Sequence, residues 1–155
     1  MKIDERLAAL GLELPAARAP AFAYVPVAVE GGLAWVSGQL PWRADGTLPK
    51  GKLGGGVAVE DGKAAARLCV LNGLSVLRHT IGSLDRVRRI VKVVGFVASA
   101  GGFVEQPAVV DGASGLLGEI FGDAGRHARS AVGVAELPRG VPVEIEFVAA
   151  IDVSA

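Results

Sequence analysis

Hydrophobic positions follow two periodicities along the chain, and these predict its main elements. Residues 59–81 place apolar side chains at three- and four-residue steps, which predicts a helix with one buried stripe. Residues 103–121 show the same pattern, and Pro107 is tolerated there because it falls in the first turn. Residues 87–97 are apolar on both alternating faces beyond Ile90, as in a strand covered on both sides. The pattern therefore predicts two long helices with a strand between them.

Shorter segments precede this central part of the chain. Residues 24–30 and 33–39 are β-rich runs on either side of Gly31-Gly32, which predicts a hairpin. Before the hairpin, the sequence predicts a short helix over residues 3–10 and then a Pro/Ala connector. After it, residues 40–56 are rich in glycine and predict a loop, either a mobile surface excursion or a lid.

A second predicted hairpin, near the end of the chain, carries charged side chains on its strands. It consists of residues 129–135 and 141–148 around a turn that contains Pro138-Arg139. With a two-residue loop, strand alternation sorts the side chains into two faces. One face holds Arg129, Ala131, Gly133, Glu144 and Glu146, and the other holds Val132, Val134, Val143, Ile145 and Phe147. A loop of three or five residues would reverse one strand and remove this assignment.

The spacing of Arg129 and Glu144 on the predicted hairpin argues against a salt bridge between them. They would lie roughly 13 Å apart along the ladder. If the two side chains cooperate, a second subunit has to bring its own copy of this surface alongside the first.

The predicted order after the N-terminal helix is β-β-α-β-α-β-β, an α+β arrangement. Each strand-helix-strand step implies parallel neighbouring strands and a right-handed crossover, which places both long helices on one face of a mixed sheet. The other face would expose apolar side chains, so we expect it to be an oligomer interface. We predict one domain over residues 1–155, with an N-terminal helix and connector (1–20) and a core (21–155).

Composition narrows the functional classes. The 155 residues are 51% hydrophobic and 21% charged, which suits one globular domain with a sizeable core. The 16 basic and 16 acidic residues cancel and aromatics are 5%, so we do not expect a nucleic-acid partner. One cysteine, Cys69, and two histidines, His79 and His127, are too few for a metal site of thiolates or imidazoles.

The pattern of apolar residues also bears on location. The first residues, MKIDERLAALGLEL, are charged and lack the apolar centre of a signal peptide. No apolar run reaches the roughly 18 residues of a membrane span. We therefore expect a cytoplasmic protein with no membrane contact.

Three motifs make the chain resemble a known family. They are Val36-Ser37-Gly38-Gln39-Leu40-Pro41, Ala128-Arg129-Ser130, and Leu137-Pro138 followed by Val143-Glu144-Ile145-Glu146. Over residues 24–153 the chain is similar to the RidA/YjgF/YER057c/UK114 family, also called the endoribonuclease L-PSP family. Its N-terminal helix and its longer loop after Pro41 resemble a longer-chain, YjgF-like branch of that family. The resemblance implies a chorismate-mutase-like subunit and a homotrimer with three clefts between subunits.

The resemblance also implies an activity. RidA-type members hydrolyse reactive enamines and imines, such as 2-aminoacrylate formed by pyridoxal-phosphate enzymes, to 2-keto acids and ammonia without a cofactor. By position, Arg129 matches the arginine that grips the substrate carboxylate, and Glu144 matches the glutamate that holds or activates water. The other implied substrate-binding positions are Tyr24, Ser37, Gly38, Ser130, Ala131 and Asp111. The implied partners are a small carboxylate-bearing substrate and further copies of the chain.

The residue types suit this chemistry, with two departures from the family pattern. A guanidinium binds a carboxylate through two parallel hydrogen bonds, and a carboxylate can shuttle the proton of an attacking water. The family cysteine after the Arg-Ser pair is Ala131 here, and the family asparagine in the second long helix aligns near Asp111 or Gly112. A carboxylate there would repel an acid, so either the substrate differs or Asp111 points elsewhere.

Structural interpretations of the same residues remain open. Arg129 could pair with Glu146 at an interface, and Glu146 instead of Glu144 could handle the water. Tyr24 could serve packing, and the Ser37 hydroxyl could satisfy backbone groups. Two other functions also remain open: a non-catalytic trimer that binds small carboxylic acids, and an endoribonuclease or translation inhibitor, which charge and aromatic content support little.

Overall fold

A computed structural model of the protein describes residues 1–153. Its helices are α1 (Ile3–Ala9), α2 (Val59–Ile81) and α3 (Gln106–Phe121). Its strands are β1 (Val27–Glu30), β2 (Leu33–Gln39), β3 (Lys52–Leu53), β4 (Gly56–Val57), β5 (Val87–Ala98), β6 (Ala128–Val134) and β7 (Val143–Ile151). The bounds of α2 agree with the prediction, whereas α3 and β1 begin three residues later than predicted. None of the helices within residues 1–153 has the length and hydrophobicity to cross a bilayer.

Five strands form one mixed sheet in the order β1-β2-β7-β5-β6. β1 and β2 form the predicted antiparallel hairpin. β5 pairs antiparallel with β7 and parallel with β6, because α3 carries the chain back to the starting end of β5 before β6 begins. α2 lies over β2 and β7, and α3 lies over β5 and β6. The predicted α+β fold, with a mixed sheet and both long helices on one face, is confirmed. β5 and β6 are parallel neighbours as predicted, whereas β2 and β5 are not neighbours, because β7 pairs with both and lies between them.

The predicted C-terminal hairpin is wrong. β6 and β7 do not pair, because β5 lies between them in the sheet. Val93 of β5 is opposite both Arg129 of β6 and Phe147 of β7, so these side chains point to one face. Phe147 is buried beneath the helices. Arg129 therefore faces the helices as well, and its predicted place on the same face as Glu144 is also wrong.

The opposite face of the sheet is not covered by other elements of the described chain. Phe96 of β5 is opposite both Val132 and Glu144, so these three side chains point away from the helices. Val132 is 42% exposed, and Trp35 on the same face is 53% exposed. An exposed apolar surface of this kind is typical of protein interfaces.

Close packing of the two long helices fixes the position of α3. The predicted inner stripe of α3 is buried and comprises Val110, Ala113, Leu117 and Ile120. A Cβ added at Gly112 would lie 2.4 Å from the carbonyl oxygen of Lys63 in α2, so only glycine permits this approach. Because α3 is held in this way, its outer side lies over the edge strand β6.

The loop over residues 40–56 is attached to the rest of the protein at several points. The guanidinium carbon of Arg18 lies over the Trp42 ring, 4.0 Å from the centroid of the ring. Leu53 is fully buried, and its carbonyl accepts a hydrogen bond of 2.9 Å from Ala100. β3 and β4 add a short parallel pair within the loop. The loop therefore has attachment points at Trp42 and Leu53, and its mobility and its role as a lid stay predictions.

Candidate functional site

Four polar side chains meet where α3 crosses β6, and we call them the Arg129 cluster. Asp111 and Ser114 lie three residues apart on α3 and so share one side of the helix. Arg129 comes from the helix-facing side of β6, and His127 directly precedes that strand. The cluster forms because the parallel pairing of β5 and β6 puts β6 beneath the outer side of α3.

α3 holds the Arg129 guanidinium by its two terminal nitrogens. Nη1 donates to Asp111 Oδ1 at 2.7 Å and to Ser114 Oγ at 3.2 Å, and Nη2 donates to the Pro107 carbonyl at 3.3 Å. These bonds use three of the five N–H groups of the guanidinium. The other two, on Nε and Nη2, have no acceptor within residues 1–153. The guanidinium is thus oriented without a ligand and keeps donors for one.

His127 extends this hydrogen-bond network in its neutral form. Nδ1 lies 2.6 Å from the Gly125 carbonyl, which can only accept, so Nδ1 carries the proton. Nε2 then accepts from the Ser114 hydroxyl at 2.9 Å. Burial lowers the pKa of His127, and the charge of Arg129 lowers it further, although the bond to Gly125 opposes this. A continuous chain of donors therefore runs from Arg129 through Ser114 and His127 to Gly125.

Two shallow clefts lie beside the Arg129 cluster. The smaller, of about 330 Å³, is lined by Ser114, Gly118, Gly125, Arg126, His127 and Arg129. The larger, of about 610 Å³, is lined by Arg89, Asp123, Arg126, His127 and Ala128. Arg126 and His127 border both clefts, and basic side chains outnumber acidic ones along each wall. The surroundings of the cluster therefore favour an anionic group.

Glu144 occupies a different place, on the uncovered face where β7 meets β2. Its carboxylate lies against Gly38, so closely that a Cβ added there would be 2.1 Å from Oε1. The neighbouring Ser37 hydroxyl donates to the Val25 carbonyl at 2.7 Å and ties this part of β2 to the segment before β1. Partial burial raises the pKa of Glu144, and the nearby Glu146 carboxylate adds to the rise. A carboxyl group with a raised pKa is suited to proton transfer near neutral pH.

The predicted site residues thus form two groups that one chain does not bring together. Ser37, Gly38 and Glu144 lie around β2 and β7, whereas Arg129 and Asp111 lie at β6 and α3. β2 and β6 are three strand spacings apart, about 14 Å. The two groups also face opposite sides of the sheet. One chain therefore carries both groups of predicted site residues, at separate places.

The remaining predicted residues have separate surroundings. Tyr24 precedes β1 and is 51% exposed. The Ser130 hydroxyl is on the uncovered face and accepts from Lys92 Nζ at 3.3 Å. Ala131 packs against the hydrophobic core. Cys69 is fully buried, and burial raises the pKa of its thiol, which makes it a poor nucleophile.

Sequence reasoning did not select Ser114, and it did not include His127 among the candidate site residues. A local signal for Ser114 exists, because Pro107, Asp111 and Ser114 recur at four- and three-residue steps and share a helix side. The signal for His127 depends on the strand order and is not local. Within the described residues, no three His, Cys, Asp or Glu side chains converge as metal ligands would.

Comparisons with known proteins give closely similar relatives. The profile of a family described as "YjgF/chorismate_mutase-like, putative endoribonuclease" matches residues 4–141. Protein TCP17 of Trypanosoma cruzi is 47% identical over 146 residues, which cover 94% of this chain and 91% of TCP17. The crystal structure of Atu1372 from Agrobacterium tumefaciens, described as of unknown function, has a TM-score of 0.89 at 44% identity and covers 97% of this chain and 94% of Atu1372. A crystal structure from Shewanella oneidensis, described as a "putative endoribonuclease", has a TM-score of 0.93 at 36% identity and covers 97% and 100%.

Proposed function

The chain belongs to the YjgF/chorismate mutase-like family, and from this premise we propose that it hydrolyses enamines and imines of 2-keto acids, of the 2-aminoacrylate type. The observation that carries the proposal is the state of Arg129. Its side chain is 23% exposed, and its guanidinium is oriented by three acceptors and retains two N–H groups for a carboxylate. An arginine that is ordered in advance loses little conformational entropy when it binds an acid.

We propose a homotrimer in which Arg129 of one subunit meets Glu144 of the partner subunit in a cleft. Two features support this arrangement. The uncovered sheet face exposes Trp35 and Val132, which would be buried by further copies of the chain. Tyr24, exposed beside β1, would lie near the same cleft as Ser37 and Glu144.

The proposed reaction adds one water to the imine and releases ammonia. An enamine first takes a proton at carbon and becomes the imine. Arg129 holds the carboxylate while Glu144 of the partner subunit accepts a proton from water, whose oxygen attacks the imine carbon. Two protons then reach the nitrogen: Glu144 returns the one that it accepted, and the hydroxyl group of the tetrahedral intermediate gives up the second. The C–N bond breaks, the carbonyl of the 2-keto acid forms, and ammonia leaves. The raised pKa of Glu144 suits a group that takes up and returns this proton.

The test couples the protein to a pyridoxal-phosphate-dependent serine dehydratase and follows keto-acid release from serine. We expect wild type to accelerate release, Arg129→Ala to abolish the acceleration, and Arg129→Lys to restore part of it, since lysine keeps the charge and loses the fork. Arg67→Ala is the matched control, because Arg67 also pairs with a carboxylate, Glu119, at 3.2 Å but on α2. Equal acceleration by wild type and Arg129→Ala would refute the proposal.

A second candidate function is binding of small carboxylic acids without catalysis. The same two N–H groups of Arg129 and the cleft of about 330 Å³ support it, since neither requires Glu144. Calorimetry with lactate distinguishes the candidates. Binding that depends on Arg129, together with no effect on keto-acid release, would favour the binding protein.

RNA cleavage is a third candidate, because Arg89, Arg126 and His127 line the cleft of about 610 Å³ and the family description includes the word endoribonuclease. Phosphate contacts weaken as salt increases. The test measures RNA binding by wild type and Arg126→Ala at increasing salt concentration. We expect no binding that weakens with salt and is lost in Arg126→Ala. Binding of that kind would favour the nuclease.

A further inference from the structure

Asp111 lies beside the guanidinium that the proposed function assigns to the substrate carboxylate. Its Oδ1 accepts from Arg129 Nη1 at 2.7 Å, and its side chain is 65% exposed. Within residues 1–153, Oδ2 accepts no hydrogen bond. The anchor is therefore an ion pair with one open carboxylate oxygen and not a lone cation.

An ion pair selects its ligands differently from a lone arginine. A simple monoanion that approaches Arg129 is attracted by the guanidinium and repelled by Asp111 at a similar distance, so the two terms partly cancel. A ligand that also has a positively charged nitrogen replaces the repulsion by an attraction. In a 2-imino acid or a 2-amino acid, one carbon separates the carboxylate from the nitrogen. Both groups can then reach Arg129 and Asp111 together.

We infer that Asp111 makes this site selective for zwitterions, namely the protonated iminium form of a 2-imino acid and its 2-amino acid analogues. The inference rests on the proposed function and specifies its substrate class. The keto acid that hydrolysis releases has lost the positive nitrogen and is a monoanion. Asp111 therefore favours the reactant over the product, and it also favours the protonated nitrogen that makes the imine carbon reactive towards water.

Asp111 also helps to orient Arg129, and the two roles are separable by one substitution. In Asp111→Asn the amide oxygen can still accept from Nη1, while Ser114 and Pro107 continue to hold the guanidinium. Only the negative charge is lost. Asp4→Asn is the matched control, because Asp4 also forms an exposed pair with an arginine, Arg78, at 3.3 Å and lies on α1.

The experiment compares L-alanine with L-lactate, which differ only in an ammonium or a hydroxyl group on the same carbon. Dissociation constants are measured by calorimetry for wild type and for Asp111→Asn, Asp4→Asn and Arg129→Gln. We expect wild type and Asp4→Asn to bind alanine roughly three- to tenfold more tightly than lactate. We expect Asp111→Asn to bring the ratio close to one by weakening alanine and strengthening lactate, and Arg129→Gln to bind neither.

The outcomes separate this inference from the proposed function. An unchanged ratio in Asp111→Asn, a wild-type preference for lactate, or no binding of either acid by wild type overturns the inference. Keto-acid release is measured separately on the same proteins. If keto-acid release is accelerated in a way that depends on Arg129, but Asp111→Asn leaves the ratio of the alanine and lactate dissociation constants unchanged, the proposed function stands and the inference is refuted. If the ratio of the alanine and lactate dissociation constants shifts as expected but keto-acid release is not accelerated, the hydrolase is refuted and a zwitterion-selective binding site is supported.

Discussion

Arg129 and Glu144 project from opposite faces of one β-sheet. The pairing of β5 fixes this relationship, since Val93 is opposite Arg129 and Phe96, three residues later, is opposite Glu144. Side chains three residues apart on a strand point to opposite faces. A site that uses both groups therefore requires two copies of the chain.

Mixed assemblies of two inactive variants test this requirement. Arg129→Ala and Glu144→Ala should each lose at least about a hundredfold in the rate of keto-acid release. In trimers reassembled from an equal mixture, about a quarter of the clefts would receive an intact Arg129 from one subunit and an intact Glu144 from the next. We expect the mixture to recover roughly that fraction of wild-type activity.

The control for this experiment is mixing of the folded variants without reassembly, which should stay inactive. Native mass spectrometry shows whether mixed trimers have formed. If they have formed and the rate of keto-acid release does not recover, the site is not shared between subunits.

Val132→Lys should separate the subunits. Val132 lies on the uncovered sheet face, and a lysine there would place a charge in the proposed interface at a cost of several kcal/mol. Light scattering after size-exclusion chromatography should give a mass about one third of that of wild type. Val104→Lys is the matched control, because Val104 is 78% exposed before α3 and should leave the mass unchanged. Equal masses for both variants would exclude this face as the interface.

Glu144→Gln should stabilise the protein at neutral pH. Burial raises the folded-state pKa of Glu144 above 4.5, so its ionisation disfavours the folded state as pH rises through that raised pKa. Glutamine carries no charge and lacks this penalty. Urea unfolding at a fixed protein concentration should therefore show a gain that is present near neutral pH and absent at pH values below about 4.5.

The comparison for this prediction is Glu13→Gln, at an exposed position before β1. We expect it to change the free energy of unfolding by less than about 0.5 kcal/mol at either pH. A Glu144→Gln variant that is less stable than wild type at neutral pH would show that the ionised carboxylate is held by favourable contacts.

Two glycines on α3 should respond in opposite directions to alanine. At Gly112 a Cβ would lie 2.4 Å from the Lys63 carbonyl oxygen, so the helices must separate, at a cost of about 2–3 kcal/mol. At Gly115 nothing lies within 4 Å, and alanine should stabilise the helix by about 0.5–1 kcal/mol. Thermal unfolding measures both. Similar changes at the two positions would mean that α2 and α3 pack less closely than the structure indicates.

Local signals made part of the fold predictable from sequence. α2 was found with its bounds because an apolar stripe of helical period is a property of the segment alone. The first hairpin was predictable because a Gly-Gly pair between two β-rich runs favours a tight turn. In the structure Gly31 and Gly32 both adopt the positive φ that such a turn requires, 58° and 75°.

The order of β5, β6 and β7 was not predictable in the same way. The turn before β7 resembles a hairpin loop in sequence, but the partner of β6 is set by the crossover through α3, which is a long-range contact. The same error affected the site. The motif identified Arg129, whereas its partners Ser114 and His127 become visible only when α3 is placed over β6. The sequence also left open whether Asp111 points towards the substrate site or away from it. The structure shows that its carboxylate points to Arg129.

The distance between Arg129 and Glu144 within one chain has a genetic consequence if the protein forms the proposed trimer. In the proposed trimer, every chain would contribute its β6 edge to one cleft and its β2 and β7 side to another. A cell that expresses a damaged and an intact allele would therefore lose more activity than the damaged fraction alone, because a chain that has lost both groups disables two clefts. Such alleles should behave as partially dominant, whereas alleles that prevent assembly should be recessive.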